Sequence, residues 1–233
     1  MIKVYHGSNI PVPDPQISKG RDNADFGLGF YVTDNYEMAE KWASRKKGNA
    51  VISEYELDID KLRTYRFDLD SEWLNFVIYH RSQNKSEVSP ALNTENYDAF
   101  IGPTADDKMF STIEQYEDGL ISEEIAVKAL NAMDIDTQIN IRTQDSINKH
   151  LRYIGSRTLG DDRKKELYLK TKKEHKAASN HVEKLIKESI ANGRKTALAR
   201  FDKVLSDNFA PKDATAVETS VFNTDEHDYP GNL

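Results

Sequence analysis

The sequence predicts an α+β fold in which short strands and amphipathic helices are intermixed along the first 160 residues. Two patterns carry this prediction: β-branched and aromatic runs that alternate like strands, and apolar residues at helical spacing in the segments between them. Glycine and proline stand where one type of segment gives way to the next. Elements mixed in this way pack as layers of sheet and helix around a common core.

The N-terminal elements begin with the β-branched run Ile2-Lys3-Val4, which leads into His6-Gly7. Phe30-Tyr31-Val32 is typical of a second strand, and Asp34 followed by Glu37 is a capping pattern that predicts a helix. The remaining predictions in this half are strands over 50–57 and 63–67 and a helix over 70–79, with Trp73, Leu74, Val77 and Ile78 on one stripe.

The following elements are punctuated by turn and capping residues. Tyr97–Ile101 is a compact strand closed by Gly102-Pro103. The Asp106-Asp107 pair predicts a capped helix that ends at Gly119, and Ser122 opens another. The later predictions are helices over 122–133 and 144–150 and strands over 138–143 and 151–154.

The composition excludes several classes of chemistry. The 233 residues contain no cysteine, so disulfides, thiolate zinc sites and cysteine nucleophiles are excluded. No apolar stretch approaches the roughly twenty residues that span a bilayer, and no signal pattern opens the chain, so we expect a cytoplasmic protein without membrane partners. The net charge of −7 argues against indiscriminate binding of nucleic acid, although it averages over halves that differ in sign.

Three regions are predicted along the chain. Residues 1–160 form the folded domain, and residues 161–207, rich in Lys, Glu and Ala with apolar residues at helical intervals, form a charged helical extension. Its basic residues either bind nucleic acid or an acidic partner or form a solvated face, and its apolar stripe suits docking or self-association. Residues 208–233 contain few large aliphatic residues and are expected to be a flexible tail.

Two glycine motifs contain the candidate functional residues. The first places His6 and Gly7 at the end of a strand, where a ligand reaches an imidazole and a backbone without a side chain. The second bends the chain at Gly27 and Gly29 into the strand that carries Tyr31. Together they predict a dinucleotide cleft in which Gly7 pairs with the nicotinamide amide and Tyr31 stacks on its ring.

Tyr5-His6-Gly7-Ser8 is followed by the segment from Asp25 to Thr33, which has the pattern Asp-Phe-Gly-x-Gly-Phe-Tyr-x-Thr. Further matching segments, in the same order, are 39–43, 51–57, 97–107 and 138–143. By this combination the first two-thirds of the chain resembles the bacterial DUF3990 family, whose members look like divergent ADP-ribosyltransferases. The resemblance implies ADP-ribosyltransferase-like split antiparallel β-sheets with surrounding helices and NAD held between them, followed here by a helical C-terminal extension.

The resemblance also implies roles for single residues. His6 would bond a ribose hydroxyl of NAD, Gly7 would bind the carboxamide, and Tyr31 would pack against the departing nicotinamide. Gly29 belongs to the same motifs and is expected to contact NAD. Ser8 is expected either to contact NAD or to bond locally.

The third motif departs from the wider superfamily, which usually has a glutamate where this chain has Gln138. A glutamine orients a ribose hydroxyl but supplies no negative charge and cannot act as a general base. Asp106 and Asp107 are the best candidates for a carboxylate from elsewhere, with helix capping as their other interpretation. His6, Tyr31 and Gln138 are the predicted catalytic residues. The histidines lack a metal-ligand spacing, so no metal is expected.

Other enzyme classes fit the motifs less well. The Gly27-x-Gly29 pair lacks the third glycine of a Rossmann fingerprint, and no Gly-Lys-Ser/Thr P-loop is present. Ser8 has no Gly-x-Ser-x-Gly context. Nicotinamide dehydrogenases, NTPases and serine hydrolases are therefore disfavoured.

The leading hypothesis is an NAD-dependent ADP-ribosyltransferase that modifies a macromolecule, with NAD as co-substrate. Similar proteins suggest a toxin of a bacterial or phage toxin–antitoxin or conflict system. The acceptor, whether protein or nucleic acid, and an antitoxin are left open. One alternative is a sensor of NAD or ADP-ribose without transfer, motivated by Gln138, and another is a partner-binding module in which the charged helices matter and the cleft is vestigial.

Overall fold

The computed structural model of the chain describes residues 1–81, 92–105, 107–133 and 135–174, together with 176–177, 180, 183–184, 187–188 and 190–192. The chain divides into two compact units, Met1–Ile190 and Ala191–Leu233. Almost all of the described residues belong to the first unit. Of the extension predicted over 161–207, residues 193–207 lie outside the described residues, as does the tail predicted over 208–233.

Within the described residues, the strands form two sheets. In chain order the strands are β1 Ile2–Ser8, β2 Phe30–Val32, β3 Val51–Leu57, β4 Thr64–Arg66, β5 Ala99–Pro103, β6 Thr137–Ile141 and β7 Leu151–Thr158. The first sheet has the order β1-β3-β7 and the second has the order β2-β6-β5-β4. The predicted mixture of helices with two sheets is confirmed.

The helices lie between the strands and after the last one. In chain order they are α1 Tyr36–Ser44, α2 Ser71–Arg81, α3 Asp107–Glu117, α4 Glu123–Asn131 and α5 Gln144–His150, with 3-10 turns at Ile17–Lys19, Ile59–Lys61 and Thr94–Asn96. Residues 161–174, with Lys176 and Ala177, are also helical and are called the C-terminal helix below, and the described positions from 180 to 192 are helical as well. No helix in the described part of the chain is long and apolar enough to cross a membrane.

The start of α1 differs by one residue from the sequence prediction. Asn35, and not Asp34, is the cap, because the Asn35 side chain accepts a hydrogen bond from the backbone N–H of Met38 at 3.2 Å. The Asn35 amide also donates to Asp136 at 3.0 Å. A short polar side chain suits this position at either residue, so the choice depends on a contact made much later in the chain.

Two strand ends also differ from the prediction. The last strand continues to Thr158 rather than ending at Ile154, because β7 pairs with β3 along its whole length. In the other direction, β6 ends at Ile141, and Thr143 caps α5 by accepting a hydrogen bond from the backbone N–H of Ser146. Both differences follow from partners outside the local pattern.

The second sheet is not wholly antiparallel, so that part of the fold prediction is wrong. β4 and β5 run parallel, with Tyr65 opposite Phe100. The chain between these two strands contains α2, and a crossover connection of this kind is what parallel neighbours require. The remaining strand pairs are antiparallel.

Alternation along the second sheet divides its side chains between two hydrophobic cores. Ile139 and Ile141 of β6 face the core shared with the first sheet, together with Phe30 of β2. The opposite face packs against α2, α3 and α4. Gln138 and Asn140 alternate with the two isoleucines and are buried on this helix-facing side.

The C-terminal helix packs on α1, which covers the outer face of the first sheet. Leu167 is fully buried in a cluster that includes Ala39, Ala43 and Ile52. Ion pairs flank this apolar contact, namely Arg163 with Glu40 at 2.7 Å, Lys170 with Glu37 at 2.6 Å and Lys41 with Glu174 at 3.3 Å. The start of the predicted extension is therefore part of the first compact unit.

Candidate functional site

β1 and β2 meet at one point and then separate. Tyr5 and Thr33 exchange two backbone hydrogen bonds, of 2.7 Å from Tyr5 N and 3.0 Å from Thr33 N. Since β1 belongs to the first sheet and β2 leads into Thr33 from the second, this bridge joins the two sheets. At the next residue the contact between the strands is made by a side chain instead of the backbone, since Nδ1 of His6 lies 2.7 Å from the carbonyl oxygen of Tyr31. The two sheets diverge beside His6.

This contact fixes the protonation of the His6 ring. A carbonyl oxygen can only accept a hydrogen bond, so Nδ1 must carry the proton and donate it. Burial lowers the pKa of His6, the positive charge of Lys46 acts in the same direction, and the bond to Tyr31 opposes them. The ring packs against Phe30 at a centroid distance of 4.6 Å. His6 is therefore a neutral imidazole whose Nε2 is an acceptor.

The lowered pKa of His6 predicts a loss of stability in acid. Below about pH 6.5 the unfolded chain binds a proton at this position that the folded chain does not yet bind, so the free energy of unfolding rises with pH. His6→Asn keeps a donor for Tyr31 but cannot titrate. Urea unfolding between pH 7.5 and 5 gives the free energy of unfolding of the parent and of this variant. As the pH falls, the parent should lose more stability than the variant.

His150→Asn is the matched control, because His150 is at the end of α5 and has no such buried bond. It shows what the loss of a histidine without a buried hydrogen bond does to stability over the same pH range. If the free energies of unfolding of the parent and His6→Asn differ by the same amount at every pH, the assignment of a neutral buried imidazole is contradicted.

Gly7 is enclosed on one side by α1. A Cβ atom at Gly7 would lie 2.2 Å from the carbonyl oxygen of Ala39 and 2.8 Å from the backbone nitrogen of Ala43, so no side chain fits. Because Tyr5 uses its N–H and C=O for Thr33, strand alternation points the same groups of Gly7 away from β3, toward the diverging side. The predicted pairing of these groups with a carboxamide stays a prediction.

Tyr31 holds the turn that precedes its own strand. Its hydroxyl accepts a hydrogen bond from the backbone N–H of Phe26 at 3.0 Å and donates one to the carbonyl of Gly27 at 2.7 Å. Burial raises the pKa of this hydroxyl, so it remains protonated. The predicted stacking of Tyr31 on nicotinamide is not tested by these contacts.

Gly29 lies against the buried amide of Asn140. A Cβ atom at Gly29 would be 1.6 Å from Oδ1 of Asn140, which is fully buried. The Asn140 amide donates to the carbonyl of Phe26 at 3.1 Å and to the hydroxyl of Tyr31 at 3.2 Å, whereas its Oδ1 has no hydrogen-bond partner in the described part of the chain. The absence of a side chain at Gly29 is thus accounted for by packing, and its predicted NAD contact stays a prediction.

Gln138 is tied to a carboxylate that the sequence analysis did not single out. Nε2 of Gln138 donates to Oδ2 of Asp25 at 2.7 Å and lies 3.3 Å from the carbonyl of Pro103. Because a carboxylate only accepts hydrogen bonds, the amide nitrogen must face Asp25. The Oε1 of Gln138 is therefore the end of this amide that can accept a hydrogen bond from another donor.

Both carboxylate oxygens of Asp25 have hydrogen-bond donors. Arg81 contacts Oδ1 at 2.6 Å, and the backbone N–H of Ala105 donates to Oδ2 at 2.8 Å. Arg81 also donates to the carbonyl oxygen of Ala105. Only 7% of Asp25 is exposed, and its charge is compensated by Arg81, whose side chain is 27% exposed. A sequence signal existed, since Asp25 opens the Asp-Phe-Gly motif, but nothing local links it to Gln138 or Arg81.

The structure brings some predicted site residues together and separates others. His6 contacts the backbone of Tyr31, but its ring packs on Phe30, which faces the core between the sheets. The side chains of Tyr31 and Gln138 lie on the helix-facing side of the second sheet. The three predicted catalytic residues thus lie on opposite faces of the second sheet, His6 on one face and the side chains of Tyr31 and Gln138 on the other.

The other predicted site residues have simpler positions. The hydroxyl of Ser8 donates to the carbonyl of Ile10 at 2.6 Å, which confirms the expected local bond. Asp107 is the first residue of α3, and Asp106 lies outside the described residues. Their predicted contact with NAD stays a prediction. No group of three His, Asp or Glu side chains suited to a metal is found among the described residues.

One comparison with known proteins gives a match. The family described as Protein of unknown function (DUF3990) matches residues 2–153. The chain belongs to the DUF3990 family. The matched range runs from β1 to the start of β7 and includes His6, Tyr31 and Gln138. Searches of curated proteins and of solved structures find no match.

Proposed function

We propose that this DUF3990 protein is an NAD-dependent ADP-ribosyltransferase that modifies a macromolecular acceptor. The observation that carries the proposal is the divergence of β1 and β2 beside His6, whose Nδ1 is fixed on the carbonyl of Tyr31 and whose Nε2 is left as an acceptor. The biological role we propose for such an enzyme is a toxin of a bacterial or phage conflict system, with an antitoxin as its partner.

The groups at the divergence suit the two ends of nicotinamide riboside. Nε2 of His6 is an acceptor for a ribose hydroxyl, and the N–H and C=O of Gly7 form a donor and acceptor pair that matches a carboxamide. On the helix-facing side of the second sheet, away from the ring of His6, Gln138 offers Oε1 as a further acceptor and is held in place by Asp25. These are positioning roles, which suit a reaction whose leaving group is already activated.

In the proposed reaction the bond between C1′ of the ribose and the nicotinamide nitrogen breaks. Nicotinamide leaves with the bonding electron pair, which neutralises the positive charge of its ring. The oxocarbenium-like C1′ then forms a bond with a nucleophilic atom of the acceptor, whose proton passes to water. The protein's part is to hold the ribose and the leaving group in the reactive geometry.

Transfer of label from NAD carrying a labelled adenylate to macromolecules of a cell lysate tests the proposal. We expect transfer by the parent chain and a loss of at least about 100-fold in His6→Ala, because the ribose acceptor is removed. His150→Ala, in which a histidine of α5 is removed, should keep transfer close to that of the parent. Equal transfer by His6→Ala and the parent would contradict the proposed site.

A sensor of NAD or ADP-ribose is the second candidate, and the Asp25–Arg81 ion pair favours it. The carboxylate nearest to Gln138 is already compensated by a guanidinium at 2.6 Å, so it offers little net negative charge to a developing cation. Calorimetric titration with NAD separates the candidates. Binding that weakens in Gln138→Ala, without nicotinamide release by the parent, is the result expected of a sensor.

A further inference from the structure

A basic cavity lies where the end of α1 meets the C-terminal helix. Its volume is about 320 Å³, and five of its eight lining residues are lysine or arginine. The basic residues are Arg45, Lys46, Lys47, Lys164 and Lys165, and the others include Asp161 and Tyr168. Lys164 is fixed by donating to the carbonyls of Lys46, at 3.0 Å, and Gly48. This concentration of positive charge contrasts with the net charge of −7 of the chain.

Lys46, which lines the cavity, lies among other cations. Burial lowers the pKa of Lys46, and the neighbouring charges of Arg21 and Arg45 lower it further. The charge of Lys46 in turn acts on His6. An anion bound among these cations would relieve their mutual repulsion, so the arrangement favours a ligand with negative charge.

The C-terminal helix separates two kinds of basic residue. Arg163 and Lys170 pair with glutamates of α1 and hold the helix in place. A second set of residues forms an exposed row that begins at the cavity. Its members are spaced three or four residues apart, so they lie on one face of the helix: Lys165, Tyr168, Lys172 and Lys176. None of these three lysines forms an ion pair with a described residue, and 51% of Tyr168 is exposed.

We propose that this row and the basic cavity bind the backbone of a single-stranded nucleic acid. Lysines spaced along about 16 Å of helix match a repeating phosphate charge, and the exposed ring of Tyr168 between them offers a face for a base. The pyrophosphate of one NAD molecule would not extend over this length. That the bound strand is the acceptor of ADP-ribose rests on the proposed function, whereas the binding itself does not.

Fluorescence anisotropy of a labelled single-stranded oligonucleotide, titrated with the full chain without NAD, tests the proposal. The triple variant Lys165→Ala, Tyr168→Ala and Lys172→Ala removes exposed side chains of the row. We expect its dissociation constant to rise at least about tenfold and the salt dependence of log K to flatten by about 1.4, the value for two phosphate contacts to a single strand. The matched control is Lys184→Ala with Lys187→Ala, which removes two exposed lysines outside the row, each paired with a glutamate.

Several outcomes would overturn this assignment. They are no binding of the oligonucleotide, an equal loss in the control, and tighter binding of polyglutamate, which would indicate an acidic protein partner. A triple variant that loses affinity for NAD but not for the oligonucleotide would assign the cavity to the phosphates of NAD instead. Oligonucleotide binding by a chain that releases no nicotinamide would support this surface while refuting the enzyme.

Discussion

Gly29→Ala is expected to destabilise the fold by about 3 kcal/mol or more, a large effect for one methyl group. The new Cβ would lie 1.6 Å from Oδ1 of Asn140, far inside van der Waals contact. Asn140 is fully buried, and moving it would break the hydrogen bonds that its amide donates to the carbonyl of Phe26 and the hydroxyl of Tyr31. Urea unfolding monitored by circular dichroism measures the change.

Gly155→Ala is the matched control, since nothing lies within 4 Å of a Cβ atom at Gly155. We expect its free energy of unfolding to remain within about 0.5 kcal/mol of the parent. The double variant Gly29→Ala with Asn140→Ala should cost less than the sum of the two single changes, because the clash is then removed. A Gly29→Ala chain as stable as Gly155→Ala would contradict the packing described for this turn.

Arg81→Leu is the second change with a large expected effect. Removing the guanidinium leaves the carboxylate of Asp25 buried and without a counter-ion, which costs about 3–5 kcal/mol. The loss should extend to the site, since Asp25 orients the amide of Gln138. Equilibrium unfolding gives the stability, and NAD titration gives the effect on binding.

Arg63→Leu is the control for Arg81→Leu. Arg63 also pairs with an aspartate, Asp98, at 2.8 Å, but 63% of the Arg63 side chain is exposed. An exposed pair contributes little to stability, because water screens both charges, so this variant should remain close to the parent. Equal losses in Arg63→Leu and Arg81→Leu would mean that the Asp25 ion pair is not a buried element of the fold.

Elements whose pattern is local were predictable from the sequence. β3 covers Val51–Leu57 against a prediction of 50–57, α5 matches its predicted range, and Ser122 caps α4 as its position before the apolar run suggested. In each case the information lies within one turn or one strand. The same holds for the bond from Ser8 to Ile10, two residues away.

Features that depend on distant partners were not predictable in this way. Asp25 meets Arg81 and Gln138, which lie 56 and 113 residues further along the chain. Asn140 explains the glycine at position 29, whereas the sequence analysis interpreted that glycine as a bend and as a contact for NAD. Likewise, the parallel pairing of β4 with β5 depends on the path taken through α2. Such contacts follow from tertiary packing, which a local period does not encode.

Release of nicotinamide from NAD by the purified chain tests the proposed enzyme most directly. Chromatography of the products separates nicotinamide from NAD and follows a single bond cleavage without knowledge of the acceptor. The proposed function predicts release above the spontaneous rate by the parent, at least about 100-fold less by His6→Ala, and parental rates in His150→Ala. Absence of release by a folded parent that binds NAD, or equal release by His6→Ala, would contradict it.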